Sequence, residues 1–157
     1  MANLHTYRTE ITWTGNLGTG TSHYRAYSRA HDVDAEGLPT ILGSADPTFR
    51  GDRTRWNPEQ LLLAALAQCH MLSYLHFCAV NGVEVTSYVD EAVGTMEQEG
   101  NGGHFTEAVL RPRITVTDAA MLAKALELHH PASEACFIAS SVNFPVRHEP
   151  TVTVESA

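Results

Sequence analysis

LLLAALAQCHMLSYLHFCAV, Leu61 to Val80, is the most apolar stretch of a 157-residue chain, and its reading decides the fold. A helix of this length could cross a bilayer. Gln68, His70, Ser73 and His76 interrupt it, however, and no positive flank orients it, so it reads as a buried helix rather than a membrane span. The residues just before it supply the start. Asn57 is a favoured N-cap, Pro58 suits the first helical position, Glu59 complements the positive end of the helix dipole, and Gln60 closes a capping box. Asn81-Gly82 supplies the stop. The rod is about 35 Å long at the usual rise per residue. A helix apolar nearly all round must be covered on every side, which a short chain does most easily with its own sheets and a second copy of itself.

Upstream, YRTEITWTG and TSHYRAYSRAHDV are rich in Tyr, Thr and Trp with partial alternation, and NLGTG between them holds hairpin turn residues. The two-residue period places Arg25, Tyr27, Arg29 and His31 on one face of the second strand. A third short strand is expected around Thr40 to Leu42, followed by a loop, SADPTFRGDRTRW, that carries Arg50, Arg53 and Arg55. Downstream, VEVTSYVDEAVGTMEQ and GHFTEAVLRPRITVT read as strands joined by EGNGG. Asp118 caps a second helix, AAMLAKALELHH, which Pro131 should end or kink. CFIASSV reads as a short helical turn and FPVRHEPTVTVES as a last strand. The order β-β-β-α-β-β-α-β is an α+β fold with antiparallel sheets, and residues 1–157 read as one domain.

The net charge of −8 and the lack of a Lys/Arg run argue against a nucleic-acid partner. The N-terminal MANLHTYRTEITWTG lacks the layout of an export signal, so a cytoplasmic location is expected. Three cysteines do not make a disulfide framework, which leaves burial or thiol chemistry. Cys78, between Phe77 and Ala79, reads as a small buried hydrophobe. Cys69 sits between Gln68 and His70 on the capped helix. Cys136 begins an apolar turn after a helix break, near a helix start where positive potential lowers a thiol's pKa. A metal reading would draw on Cys69, His70, His129, His130 and Cys136. Its spacing is poor, because adjacent ligands splay apart on a helix and neither CxxC nor HExxH occurs, so no metal is expected.

NPEQLLLAALAQCHM with the downstream CFIASSV resembles the OsmC/Ohr family, the osmotically induced and organic hydroperoxide resistance proteins. YVDEAVGTME, FTEAVLRP and NFPV are similar to its OsmC-like branch. The resemblance implies an OsmC-like fold, an intertwined homodimer with long central helices between sheets, and thiol peroxidase activity. It implies Cys69 as the peroxidatic cysteine, Cys136 as the resolving one, and Glu59 as the carboxylate that holds an arginine over the thiolate. Arg29 is the arginine expected, with Arg50 and Arg25 as alternatives.

The chemistry agrees. A thiol attacks a peroxide only as thiolate, and a guanidinium stays charged at any working pH, so a nearby arginine suits the task. Glu59 and Cys69 lie ten residues apart on one helix, about 15 Å along its axis, so Glu59 of one subunit is expected to approach Cys69 of the other. The active site would then lie at the subunit interface. The expected substrate is a small organic hydroperoxide, hydrogen peroxide being an alternative. No cofactor is expected beyond an external dithiol reductant of lipoyl or thioredoxin type. His70 is expected to hydrogen-bond inside the core, with proton transfer as the alternative. The competing functions are a non-catalytic, dimeric stress-associated binding protein with inert cysteines and, behind it, a Cys/His metal-binding protein.

Overall fold

The structure is a computed structural model that describes residues 3–156; Met1, Ala2 and Ala157, the ends of the single domain expected from the sequence, lie outside the described residues. The chain forms two units, Met1–Leu61 and Leu62–Ala157.

In the first unit, β1 (Glu10–Trp13), β2 (His31–Asp34) and β3 (Ile41–Gly43) make an antiparallel sheet in that order. The second strand is shorter than its alternation predicts, and of Arg25, Tyr27, Arg29 and His31 only His31 lies on it. Residues 22–30 turn instead, because the Arg29 guanidinium gathers them. Nη1 donates to the Tyr27 carbonyl at 2.8 Å and Nη2 to the Tyr24 carbonyl at 2.9 Å. Its carbon also sits 4.4 Å and 4.1 Å from the centroids of the same two tyrosine rings, a cation–π clamp. Asn16 Oδ1 accepts from the N–H groups of Gly18 and Gly20, which shapes the turn expected at NLGTG.

Helix α1 (Pro58–Val80) has the predicted ends. Asn57 Oδ1 accepts from Gln60 N–H at 2.8 Å and Gln60 Oε1 from Asn57 N–H at 3.2 Å, a closed capping box. At the other end Gly82 takes φ +71°, Val83 N–H bonds the Cys78 carbonyl and Gly82 N–H the Ala79 carbonyl, the Schellman arrangement. Leu66, His70, Tyr74 and Cys78, four residues apart in turn, are buried, while Leu72 and Val80 are exposed. Its own chain therefore covers this apolar helix along one stripe only.

The remaining strands depart from the sequence reading in one consistent way: each long β stretch is two strands in two sheets. They are β4 (Val85–Asp90) and β5 (Val93–Glu99), β6 (Gly102–Leu110) and β7 (Pro112–Val116), and β8 (Val146–His148) and β9 (Thr151–Val154). The first sheet has the order β4-β7-β9 and the second β5-β6-β8. The switch points are clamped to one another. Arg111 N–H donates to Asp90 Oδ1 at 2.7 Å, Glu149 N–H to the Leu110 carbonyl at 2.8 Å, and Arg111 Nε meets Glu149 Oε2 at 2.8 Å.

The α+β class stands. The expected antiparallel pairing holds for β4–β7 and β5–β6, but β8 and β9 pair in parallel with β6 and β7. A helical crossover before β8 brings the chain back in the same direction. It consists of a 3-10 turn, Ala119–Met121, capped by Asp118, then α2 (Leu122–Glu127) and α3 (His129–Glu134). The kink falls at Leu128, three residues before Pro131. Pro131 sits in the first turn of α3, where its missing N–H costs nothing. Tyr74, Cys78, Ile114, Val116, Leu128 and Ala132 form the heart of the core of this unit.

Candidate functional site

Of the sequence-predicted residues, the Leu62–Ala157 unit brings together Cys69 and Cys136. Cys69 lies midway along α1 and is partly exposed, whereas Cys136 follows α3 and is only 1% exposed. Burial first, and the facing Cys69 thiol second, push the Cys136 thiol up to about 11, against the opposing N–H groups of Ala139 and Ile138. This reverses the expectation that a helix start would acidify Cys136. The following 3-10 turn, Ala139–Ser141, does direct the Ala139 N–H at the sulfur, at 3.5 Å, but dehydration outweighs that donor. All three cysteines are free thiols. Cys78 is buried against the Tyr74 hydroxyl, and burial raises its thiol too, which fits an inert role.

The two thiols therefore differ in kind. Cys69 is partly exposed; Cys136 is sheltered and held in the protonated form. A partly exposed thiol next to a shielded one is an arrangement a two-cysteine redox cycle can use.

The other candidates belong to the Met1–Leu61 unit. Glu59, in the first turn of α1, has its Oε2 buried with no hydrogen-bond partner. Arg29 is half-buried, and its bonds to Tyr24 and Tyr27 occupy two of its five N–H donors. Arg50 is exposed and ends the 3-10 turn Pro47–Phe49 in the left-handed region, at φ +64°. Arg25 is exposed as well. Arg55, not singled out from the sequence, reaches the His31 carbonyl at 3.4 Å and Asp32 at 3.9 Å.

The histidines sort differently from the metal reading. His130 is exposed and faces Glu134, while His70 and His129 bond to each other inside the core. Among the described residues, no group of three or more His, Cys, Asp or Glu side chains is placed to hold a metal ion. His148, which the sequence reading passed over, joins His70 at a ring separation of 4.2 Å. Its signal was the alternation in VRH, with Arg147 outside and His148 turned inward.

No curated protein matches the chain. A family model described as OsmC-like protein matches residues 51–151. An OsmC-like protein of unknown function from Vibrio cholerae is 33% identical, with a TM-score of 0.85 over 94% of this chain and 100% of that one. An organic hydroperoxide resistance protein from Elizabethkingia anophelis is 17% identical, with a TM-score of 0.70 over 99% of this chain and 100% of its own. Another from Legionella pneumophila, OsmC, is 18% identical, with a TM-score of 0.66 over 98% and 100%. At such identities the last two share the fold alone, whereas the family match and the first neighbour settle membership: this chain belongs to the OsmC-like protein family.

Proposed function

We propose that the protein is a thiol peroxidase that reduces organic hydroperoxides. The observation that carries this reading is the unequal pair of thiols, partly exposed Cys69 facing buried, protonated Cys136. Two family neighbours are named organic hydroperoxide resistance proteins, which is consistent with it. The Cys69 thiolate attacks the distal peroxide oxygen. An S–O bond forms, the O–O bond breaks, and the departing alkoxide takes a proton to leave as alcohol. Cys69 is then a sulfenic acid. The Cys136 thiol condenses with it, an S–S bond replaces the S–O bond, and water leaves. An external dithiol restores both thiols by exchange, becoming a disulfide itself.

The thiolate and the departing alkoxide both need a cation. We assign this to Arg29, held by Glu59, with the site completed by a second copy of the chain. The buried, unpartnered Oε2 of Glu59 supports a donor arriving from outside its own subunit, and the exposed face of α1 around Leu72 supports an apolar cover. The homodimer, the cytoplasmic location and the absence of a nucleic-acid or membrane partner belong to the same proposal.

Peroxide consumption with dihydrolipoamide or thioredoxin as reductant tests the reading. Cys69→Ser abolishes turnover. Cys136→Ser still forms the sulfenic acid, trapped by dimedone, but turns over poorly. Arg29→Ala lowers the rate of Cys69 oxidation by about a hundredfold, as loss of a charge stabiliser does. One equivalent of tert-butyl hydroperoxide that leaves three free thiols by mass refutes the proposal and favours a binding protein with inert cysteines.

A further inference from the structure

Three histidines from three elements meet inside the Leu62–Ala157 unit. His70 of α1 and His129 of α3 bond through Nε2 and Nδ1 at 3.0 Å, and the His148 ring of β8 lies 4.2 Å from that of His70. Tyr74, one turn along α1, stacks on His129 at 3.9 Å and donates its hydroxyl to the Ala125 carbonyl of α2 at 2.9 Å. His70 is 0% exposed and His129 4%.

Imidazoles are a costly filling for a core. Whichever ring donates, the pair leaves one N–H and one lone pair, at His70 Nδ1 and His129 Nε2, without a protein partner. Apolar side chains of the same shape would fill the space without that cost, since removing both partners of a buried hydrogen bond is nearly neutral. They would also lack direction. What the imidazoles add is a bond of set length and angle between α1 and α3. Its position matters: His70 follows Cys69, and His129 opens the short helix that leads into Cys136. Any slide or rotation of α3 on α1 stretches this bond and moves one sulfur relative to the other.

We propose that His70 and His129 are positioning residues, whose hydrogen bond, backed by His148 and Tyr74, fixes the register of α3 on α1 and so presents the Cys136 sulfur to Cys69. This deepens the peroxidase reading and rests on its Cys69–Cys136 disulfide. Burial, with smaller contributions from the neighbouring histidines, holds His70 down to about 3 and His129 to about 4, so at neutral pH both rings are neutral, as a bond between one N–H and one lone pair requires.

The test equilibrates the full-length protein with mixtures of oxidised and reduced glutathione at pH 7.5. Two protein thiols and one glutathione disulfide exchange for the protein disulfide and two glutathione thiols. Denaturing alkylation and peptide mapping report the Cys69–Cys136 bond. A glutamine amide reaches the place of Nε2 and an asparagine amide that of Nδ1, so His70→Gln and His129→Asn keep the bond, while His70→Asn and His129→Gln misset its length. The matched variants stay within about threefold of the wild-type disulfide equilibrium constant, and the mismatched ones lose about tenfold. A merely structural role would lower urea midpoints without separating the two pairs in this native-state constant. Equal constants across four variants that are folded by circular dichroism overturn the proposal. If a mismatched variant does not fold, the doubly matched variant decides alone: a constant within about threefold supports the proposal and a tenfold loss overturns it. A wild type that forms no Cys69–Cys136 disulfide at any glutathione ratio refutes the peroxidase cycle as well, whereas coinciding variants with an intact wild-type disulfide refute only the positioning role.

Discussion

Lowering the pH from 8 to 5 asks the folded chain to charge His70 and His129 where water cannot reach them. The unfolded chain takes up these protons near the ordinary imidazole value of about 6.5. The folded chain resists until about 4 for His129 and about 3 for His70, mainly through burial. Between these limits the unfolded state binds more protons, so the stability contributed by the neutral rings is complete above 6.5 and is lost as the pH falls. Among the described residues, neither ring pairs with a carboxylate. Tyr74 faces them from α1, His148 from β8 and the Ala125 carbonyl stands on α2; Tyr88 of β4 lies beyond Tyr74, with Asp90 behind it. His148 is itself lowered by burial and adds to the effect. At pH 5 each of the two histidines withholds about 2 kcal/mol, roughly 4 kcal/mol together. That is about 10 °C in Tm for a domain of this size. Asp46 and Asp52, held below the usual carboxylate range by bonds from Thr48 and Thr54, titrate outside this window. Urea unfolding of the reduced protein, followed by far-ultraviolet circular dichroism at pH 8, 7, 6 and 5, measures the loss. His70→Gln or His129→Asn should each remove about half of it. Stability independent of pH in the wild type, or NMR titration of both rings near 6.5 in the folded state, would refute the reasoning.

Three further outcomes follow from local geometry. Tyr74→Phe deletes the hydroxyl that joins α1 to the Ala125 carbonyl and costs about 1–2 kcal/mol in urea unfolding, more than an exposed tyrosine would. Asn57→Ala removes the cap bond to Gln60 N–H and costs about 1 kcal/mol, whereas Asn57→Asp retains most of it. Gly51→Ala places a methyl group against the Ala45 carbonyl, so the loop between β3 and α1 must shift; a loss of about 2 kcal/mol or more is expected by thermal melting.

The parts of the fold legible in the sequence are those decided within a few residues. Asn57 and Gln60 bond each other, and Gly82 needs only its own left-handed backbone, so both ends of α1 could be read directly. The sheet switches could not. β propensity runs on through Glu91, Arg111 and Glu149, and the clamp that divides each stretch joins residues distant in sequence. Prolines marked two of the three breaks: Pro112 opens β7 and Pro150 immediately precedes β9, positions where a missing N–H is tolerated. Residues 22–30 misled for a related reason. Alternating aromatic and arginine residues satisfy a strand template, yet one guanidinium bonding two carbonyls of the same segment favours a turn, and no periodicity argument weighs that bond.

The candidate site divides along the same line. Cys69 and Cys136 face each other in the structure, a long-range pairing that the family resemblance implies and local chemistry cannot predict. Local chemistry alone gave the wrong sign for Cys136: a helix start promises acidity, but the promise holds only where the sulfur is hydrated enough for its charge to be tolerated. His70 read correctly as a core residue because it interrupts an apolar run. Its partners sit on α3 and β8, and a buried polar side chain without a visible local partner implies a distant one. That rule turns His70 from an anomaly into a constraint. A polar residue inside the most apolar helix of a chain must be matched from elsewhere in the fold, and the proposed positioning role follows because the residue just before it is Cys69.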